Sequence, residues 1–223
     1  MVSLPLKFID GHLFVSINDT DLLLDTGAPA SFGDSSEFTI DGETFQVARS
    51  YKGLTPETLS EYVGHPTAGI IGSDIFQAFD TLFDVSDGTI FFSLKQLDLE
   101  GKAIETGSFM GVPTLEVRIN GATYSMVFDT GAKISYFQDD EIARFPTAGT
   151  VADFLPAFGQ FQTRTFLVDM TLGASTFTLR CGQLPELLGM ALSLTGAVGV
   201  IGNQILKDRK VGFSPRRGIL VFT

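Results

Sequence analysis

Two tetrapeptides hold the residues best suited to chemistry. Asp25-Thr26-Gly27-Ala28 recurs unchanged as Asp129-Thr130-Gly131-Ala132, with Ser31 and Ser135 at the same offset behind them. Carboxylates on equivalent turns of two similar halves can face each other across a pseudo-twofold axis, as the isologous contact of a dimer does. Two carboxyl groups about 3 Å apart cannot both ionise cheaply, so such a pair holds one proton over a range of pH and titrates as a unit. The ionised member takes a proton from a water attacking a carbonyl, while the protonated member donates to the developing oxyanion. A peptide bond is hydrolysed that way without a covalent intermediate, which makes Asp25 and Asp129 the catalytic candidates. Gly27 and Gly131 lack Cβ, so the turns can approach and their N–H groups can point at the carboxylates. The Thr26 and Thr130 hydroxyls are expected to bond the opposite turn and lock the halves together. Asp and Gly favour turns in any chain, so a single copy would signify only a turn; two copies with matched surroundings signify more.

The surroundings are matched along nearly the whole chain. Apolar runs precede both motifs, Leu22 to Leu24 and Met126 to Phe128, so each tetrapeptide reads as a turn leaving a buried strand. Upstream, Leu13 to Ile17 with Asn18-Asp19 corresponds to Leu115 to Ile119 with Asn120-Gly121, a hairpin signal in both halves. Downstream, Gly69-Ile70-Ile71-Gly72 corresponds to Gly199-Val200-Ile201-Gly202, each followed by a short helix-like stretch. Phe83 and Phe213 lie 11 residues beyond the second glycine of each copy, and Ile90 and Leu220 lie 18 beyond it. Thr55-Pro56-Glu57 and Leu184-Pro185-Glu186 each place Pro where a short helix starts. The chain is a tandem duplication: one lobe over 1–95, a linker or inter-lobe strand over 96–109, and a second lobe over 110–223. Short alternating elements rich in Phe, Val, Ile and Thr give an all-β, bilobal architecture with few short helices.

Composition removes other functions. The chain has 223 residues, a net charge of −11, 44% hydrophobic and 18% charged residues, and no run of Lys or Arg to grip a phosphate backbone. Nucleic acid is therefore not expected as a partner. The single Cys181 makes no internal disulfide, and 1–10 has no signal-peptide pattern, so a cytoplasmic location is expected. The 20-residue uncharged stretch 187–206 is broken by glycines and polar residues and reads as a buried strand with flanking loops, not a membrane span. No zinc spacing, nucleophile elbow or phosphate loop is present, so neither metal nor cofactor is expected, and His12 and His65 read as lone surface or loop residues. Asp84 to Gly88 only loosely resembles the start of a calcium loop, with Lys95 where the closing Glu belongs.

The two Asp-Thr-Gly-Ala loops and the two apolar-apolar-Gly motifs, Ile70-Ile71-Gly72 and Val200-Ile201-Gly202, resemble those of the aspartic peptidases. Ala after Gly is similar to the retropepsin type, whereas two copies in one chain are similar to pepsin, so the chain resembles a fused retropepsin dimer. The resemblance implies a bilobal acid-protease fold, a cleft for an extended peptide, the aspartate pair at its floor and a β-hairpin flap above. It also implies substrate contacts at Ala28, Ala132, Ile70 and Val200.

The halves differ in one place. Asp25 to Phe45 spans 20 residues and Asp129 to the matching Phe177 spans 48, where the resemblance places a flap. The extra stretch reads as a hairpin over about 151–168 with its tip at 156–160, either bringing Phe158 or Phe161 and Gly159 over a bound side chain or packing its aromatics on the body as a surface hairpin. A single flap from the second half departs from both relatives and lacks pepsin's flap tyrosine. The expected activity is an aspartic endopeptidase that prefers apolar residues beside the cut and acts as a monomer with an internal pseudo-dimer. The alternative is a non-catalytic peptide-binding or scaffolding module on the same fold.

Overall fold

A computed structural model describes residues 1–155 and 158–222. Strands take 52% of the chain, and the α-helices among the described residues are three short ones. They are α1 (Pro56–Val63), α2 (Ser73–Phe76) and α3 (Glu186–Ser193). Thr55 caps α1 through its hydroxyl, which accepts from the Thr58 N–H at 3.3 Å, and Pro185 opens α3.

The two halves repeat one path. In the first, His12–Ile17 turns through Asn18 and Asp19, both at positive φ, and pairs antiparallel with Thr20–Leu24. In the second, Val112–Ile119 turns through Asn120 and Gly121, also at positive φ, and pairs with Ala122–Phe128. Positive φ at both central residues is the turn that matches strand twist, and Asn, Asp and Gly tolerate it best. Each inner strand then pairs in parallel with an apolar three-residue strand: Leu23 with Ile70, and Val127 with Val200.

One antiparallel sheet joins the halves. Its order is Val2–Ile9, Thr89–Ser93, Asp80–Asp84, Lys210–Ser214, Ile219–Phe222, Lys102–Phe109. The central pair crosses between halves, with Val211 opposite Phe83. Residues 102–109 form an outer strand of this sheet, the counterpart of Val2–Ile9. A continuous core lies above it, with Phe76, Phe83, Phe128 and Phe213 fully or almost fully buried and in ring contact. Burial of aromatic area on this scale is the main force holding the two halves as one body.

The extra residues of the second half form a long hairpin, Thr147–Leu155 with Gly159–Leu172. It exceeds the 151–168 expected from sequence, because Phe166, Val168, Met170 and Leu172 carry the second strand down into the core against Ser175–Gly182. Pro156 and Ala157 of the expected tip lie outside the described residues. The uncharged stretch 187–206 holds most of α3, the helix expected after Pro185, then the expected buried strand as Gly199–Ile201, and a 3-10 turn. No helix among the described residues is long and apolar enough to cross a membrane.

Candidate active site

Asp25 and Asp129 each follow a buried strand, and both loops are held by the same bonds. The Asp25 N–H donates to the Ile71 carbonyl at 3.0 Å and that of Asp129 to Ile201 at 2.9 Å. Ser73 N–H donates to Ala28 at 2.8 Å and Asn203 N–H to Ala132 at 2.9 Å. The Gly72 N–H donates to the Ser31 hydroxyl at 2.8 Å and the Gly202 N–H to the Ser135 hydroxyl at 3.1 Å. The apolar-apolar-Gly strand thus fixes the loop beside it in each half.

Between the halves the threonines interlock. Each N–H donates to the other's hydroxyl at 3.0 Å; the Thr26 hydroxyl donates to the Phe128 carbonyl at 2.7 Å and the Thr130 hydroxyl to Leu24 at 2.8 Å. All four groups are buried and satisfied, so neither loop can shift without orphaning polar atoms of the other.

The interlock brings the two aspartates together at the floor of one cleft, close enough for each to act on the other's ionisation. A Cβ added to Gly27 would lie 2.5 Å from an Asp129 carboxylate oxygen, and one added to Gly131 would lie 2.5 Å from Asp25 Cγ. The glycines are required by this approach. The Ala28 N–H donates to Asp25 at 2.8 Å, and the Gly131 and Ala132 N–H groups donate to Asp129 at 2.8 and 3.2 Å. Burial pushes the Asp25 carboxyl well above the usual range, and the charge on Asp129 adds to it. Burial raises Asp129 too, partly offset by hydrogen bonds from Asp25, Gly131 and Ala132. The pair therefore retains one proton where an isolated carboxyl would have lost it.

The cleft above the pair has a volume of about 270 Å³. Ala28, Ala132, Ile70 and Val200 line it, as do Tyr51, Leu54, Leu184 and Leu188. A broader depression of about 700 Å³ beside α1 and His65 contains neither aspartate. From the hairpin, Asp153, Phe154 and Leu155 face the cleft. Phe158 is 44% exposed and, with Gly159, lines a side pocket near Lys52 and Tyr62 instead. Phe161 packs against Tyr136 and the second half's own apolar cluster. Phe154 is the aromatic that crosses: its ring lies 4.9 Å from Tyr62 and 6.4 Å from His12, and it packs on the first half's apolar cluster.

Several residues here carried no sequence signal of their own. His12, read above as a surface or loop residue, is 2% exposed, and its Nδ1–H donates to the Gly131 carbonyl at 3.2 Å. Burial, aided by Lys133, lowers its pKa, so the ring is neutral and braces the second loop. Tyr136 donates to Asp153, which is 8% exposed and lies 3.9 Å from Lys133 Nζ. Burial, then Asp153, drives the Tyr136 phenol far above its usual pKa. Cys181 is fully buried with its thiol pKa raised, a packing residue.

No family model and no curated protein matches the chain. Among solved structures, basic 7S globulin from soybean is similar over 100% of this chain and 94% of its own, at 13% identity and a TM-score of 0.54. A retropepsin-like aspartic protease from Rickettsia conorii aligns with 57% of this chain and 96% of its own, at 13% identity and a TM-score of 0.37. The strand content, the repeated halves and this likeness make the fold bilobal, all-β and of the acid-protease type.

Proposed function

We propose that the protein is an aspartic endopeptidase that hydrolyses extended polypeptide at the Asp25–Asp129 pair. The observation that carries the reading is two carboxyls from equivalent loops lining one cleft, each accepting from backbone N–H donors and each with its pKa raised, an arrangement that favours a shared proton. In this mechanism the ionised member deprotonates a water as it attacks the scissile carbonyl. The protonated member donates to the oxyanion, and the proton later passes to the departing nitrogen. Ile70, Val200, Leu184 and Leu188 favour apolar side chains beside the cut.

The long hairpin acts as the flap. Phe154 lies across the cleft and packs on the first half's apolar cluster, so in this reading the hairpin lifts to admit an extended chain. That same seating favours the second reading, a peptide-binding module without turnover, should the hairpin stay down. Cleavage of an unfolded polypeptide or peptide library by the wild-type chain decides between them. Asp25→Asn and Asp129→Asn should each lose about 10³-fold in kcat/KM. Activity surviving in either variant, or none in the wild type at any pH, contradicts the peptidase reading.

A further inference from the structure

The mechanism uses two carboxyls, yet a third enters the same cleft. Asp153 sits on the hairpin strand Thr147–Leu155, opposite Phe161 in register, and is almost fully buried. Both its oxygens accept: one from the Tyr136 hydroxyl, the other from the Phe154 N–H at 2.9 Å. Donors on both oxygens suit a carboxylate, and Lys133 Nζ lies 3.9 Å away. The first half has no equivalent. Phe32 stands six residues after Thr26 where Tyr136 stands six after Thr130, and the short hairpin that follows, Glu37–Ile40 with Glu43–Gln46, does not line the cleft.

We infer that Asp153 is a positioning residue that sets the proton affinity of the Asp25–Asp129 pair, so that seating of the hairpin and retention of the shared proton are coupled. A fixed negative charge beside the pair disfavours its second ionisation; Asp129 feels Asp153 in this way. Lifting the hairpin carries that charge out of the cleft. By linkage, whatever seating the hairpin does to proton binding, proton binding does to seating. The protonated pair thus holds the hairpin down, and loss of the proton loosens it. The groups facing the pair and Asp153 are Tyr136 from the strand Ser135–Phe137, Lys133 from the second loop, and neutral His12, Tyr51 and Lys52 from the first half, with Asp10 acting on His12. The inference takes the pair's identity from the proposed function, but its test does not need turnover.

The test is a carbon-13 carboxyl NMR titration of the full chain with labelled aspartate, in wild type, Asp153→Asn and Lys133→Met. Asp153→Asn should move the upper titration of the pair down by about one pH unit. Lys133→Met, which leaves Asp153 uncompensated, should move it up by about half a unit. A merely structural role would not give shifts of opposite sign. Unchanged midpoints in both variants, or shifts in the same direction, overturn the inference. If Asp153→Asn does not fold, Asp153→Ser is titrated in its place, a downward shift supporting the inference and an unmoved midpoint overturning it. Opposed shifts in a chain that cleaves nothing would sink the peptidase reading and keep this one; cleavage with unmoved midpoints would do the reverse.

Discussion

The two halves agree at the floor of the cleft and disagree at its roof and at the sheet that joins them. At the floor, Thr26 answers Thr130, Gly27 answers Gly131 and the Ser31–Gly72 contact answers Ser135–Gly202. At the joining sheet, the first half supplies acids and the second supplies bases. Asp80, 1% exposed, accepts from Ser214, Arg216 and Arg217, while Asp84 pairs with Lys210 at 2.6 Å. The positions matching Asp80 and Asp84 in the second half are Lys210 and Ser214, each 130 residues on. Such complementarity favours a half pairing with its opposite and disfavours pairing with its like. What the difference teaches is that symmetry is kept where two carboxyls must meet on equal terms and lost where the halves need only recognise each other.

The largest effects should fall on the symmetric floor and be equal in the two halves. Gly27→Ala and Gly131→Ala each drive a methyl into the opposite carboxyl, and each should reduce cleavage by about 10³-fold. A large loss from one and none from the other would break the comparison. Thr26→Ala and Thr130→Ala each orphan a buried N–H and a buried carbonyl. Chemical denaturation should show a loss of about 2–3 kcal/mol for either, matched between the two.

The joining sheet should respond to pH in the opposite sense from the floor. Burial alone would raise Asp80, but the Ser214 hydroxyl, the Leu97 N–H and the two arginines outweigh it and hold its pKa below the usual value. Its contribution is therefore present above the unfolded pKa of about 3.9 and is lost as pH falls through the lower, folded value. Asp80→Asn should cost about 3 kcal/mol at neutral pH and progressively less as pH falls below the unfolded pKa and through the folded one. The raised pair at the floor is the reverse. It disfavours folding above the unfolded pKa, increasingly until pH passes the folded value, so Asp25→Asn should stabilise the chain at neutral pH and not at pH 2. Stability curves of both variants against pH check the two signs together.

Smaller effects belong to the one-sided features. Phe154→Ala removes the ring that seats the hairpin on the first half and should raise KM about tenfold with a lesser change in kcat. On the outer faces of the two matched helices, α1 shows Glu57 and Glu61 to solvent, whereas α3 shows Leu187, Met190 and Leu194, 62–87% exposed. Replacing these three by Ser, Gln and Ser should alter stability by less than about 0.5 kcal/mol each.

What the sequence made legible is what the duplication repeats. The two loops, their apolar-apolar-Gly partners, the feeding hairpins and the two Pro-led helices each occur twice, so position in one half corroborates position in the other. His12, Lys133, Tyr136 and Asp153 occur once, and nothing local marks them. His12 is one residue outside the expected strand, Tyr136 directly follows the conspicuous Ser135, and Asp153 is one polar residue within an alternating run. Their meeting depends on the hairpin folding back over the second loop, a contact between residues 17 apart whose register no periodicity fixes. Which aromatic lines the cleft is hard to read from sequence for a similar reason. The tip residues Phe158 and Gly159 overshoot the pair, and Phe154, on the strand below, reaches it.

The central claim is that Asp25 and Asp129 behave as one titrating unit, and a site-resolved carboxyl titration of the unliganded wild-type chain measures it directly. Both resonances should report the same two midpoints, the upper one far above the ordinary carboxylate range. Two independent single-step curves near the ordinary value would show that the carboxyls do not share a proton, and would contradict the account.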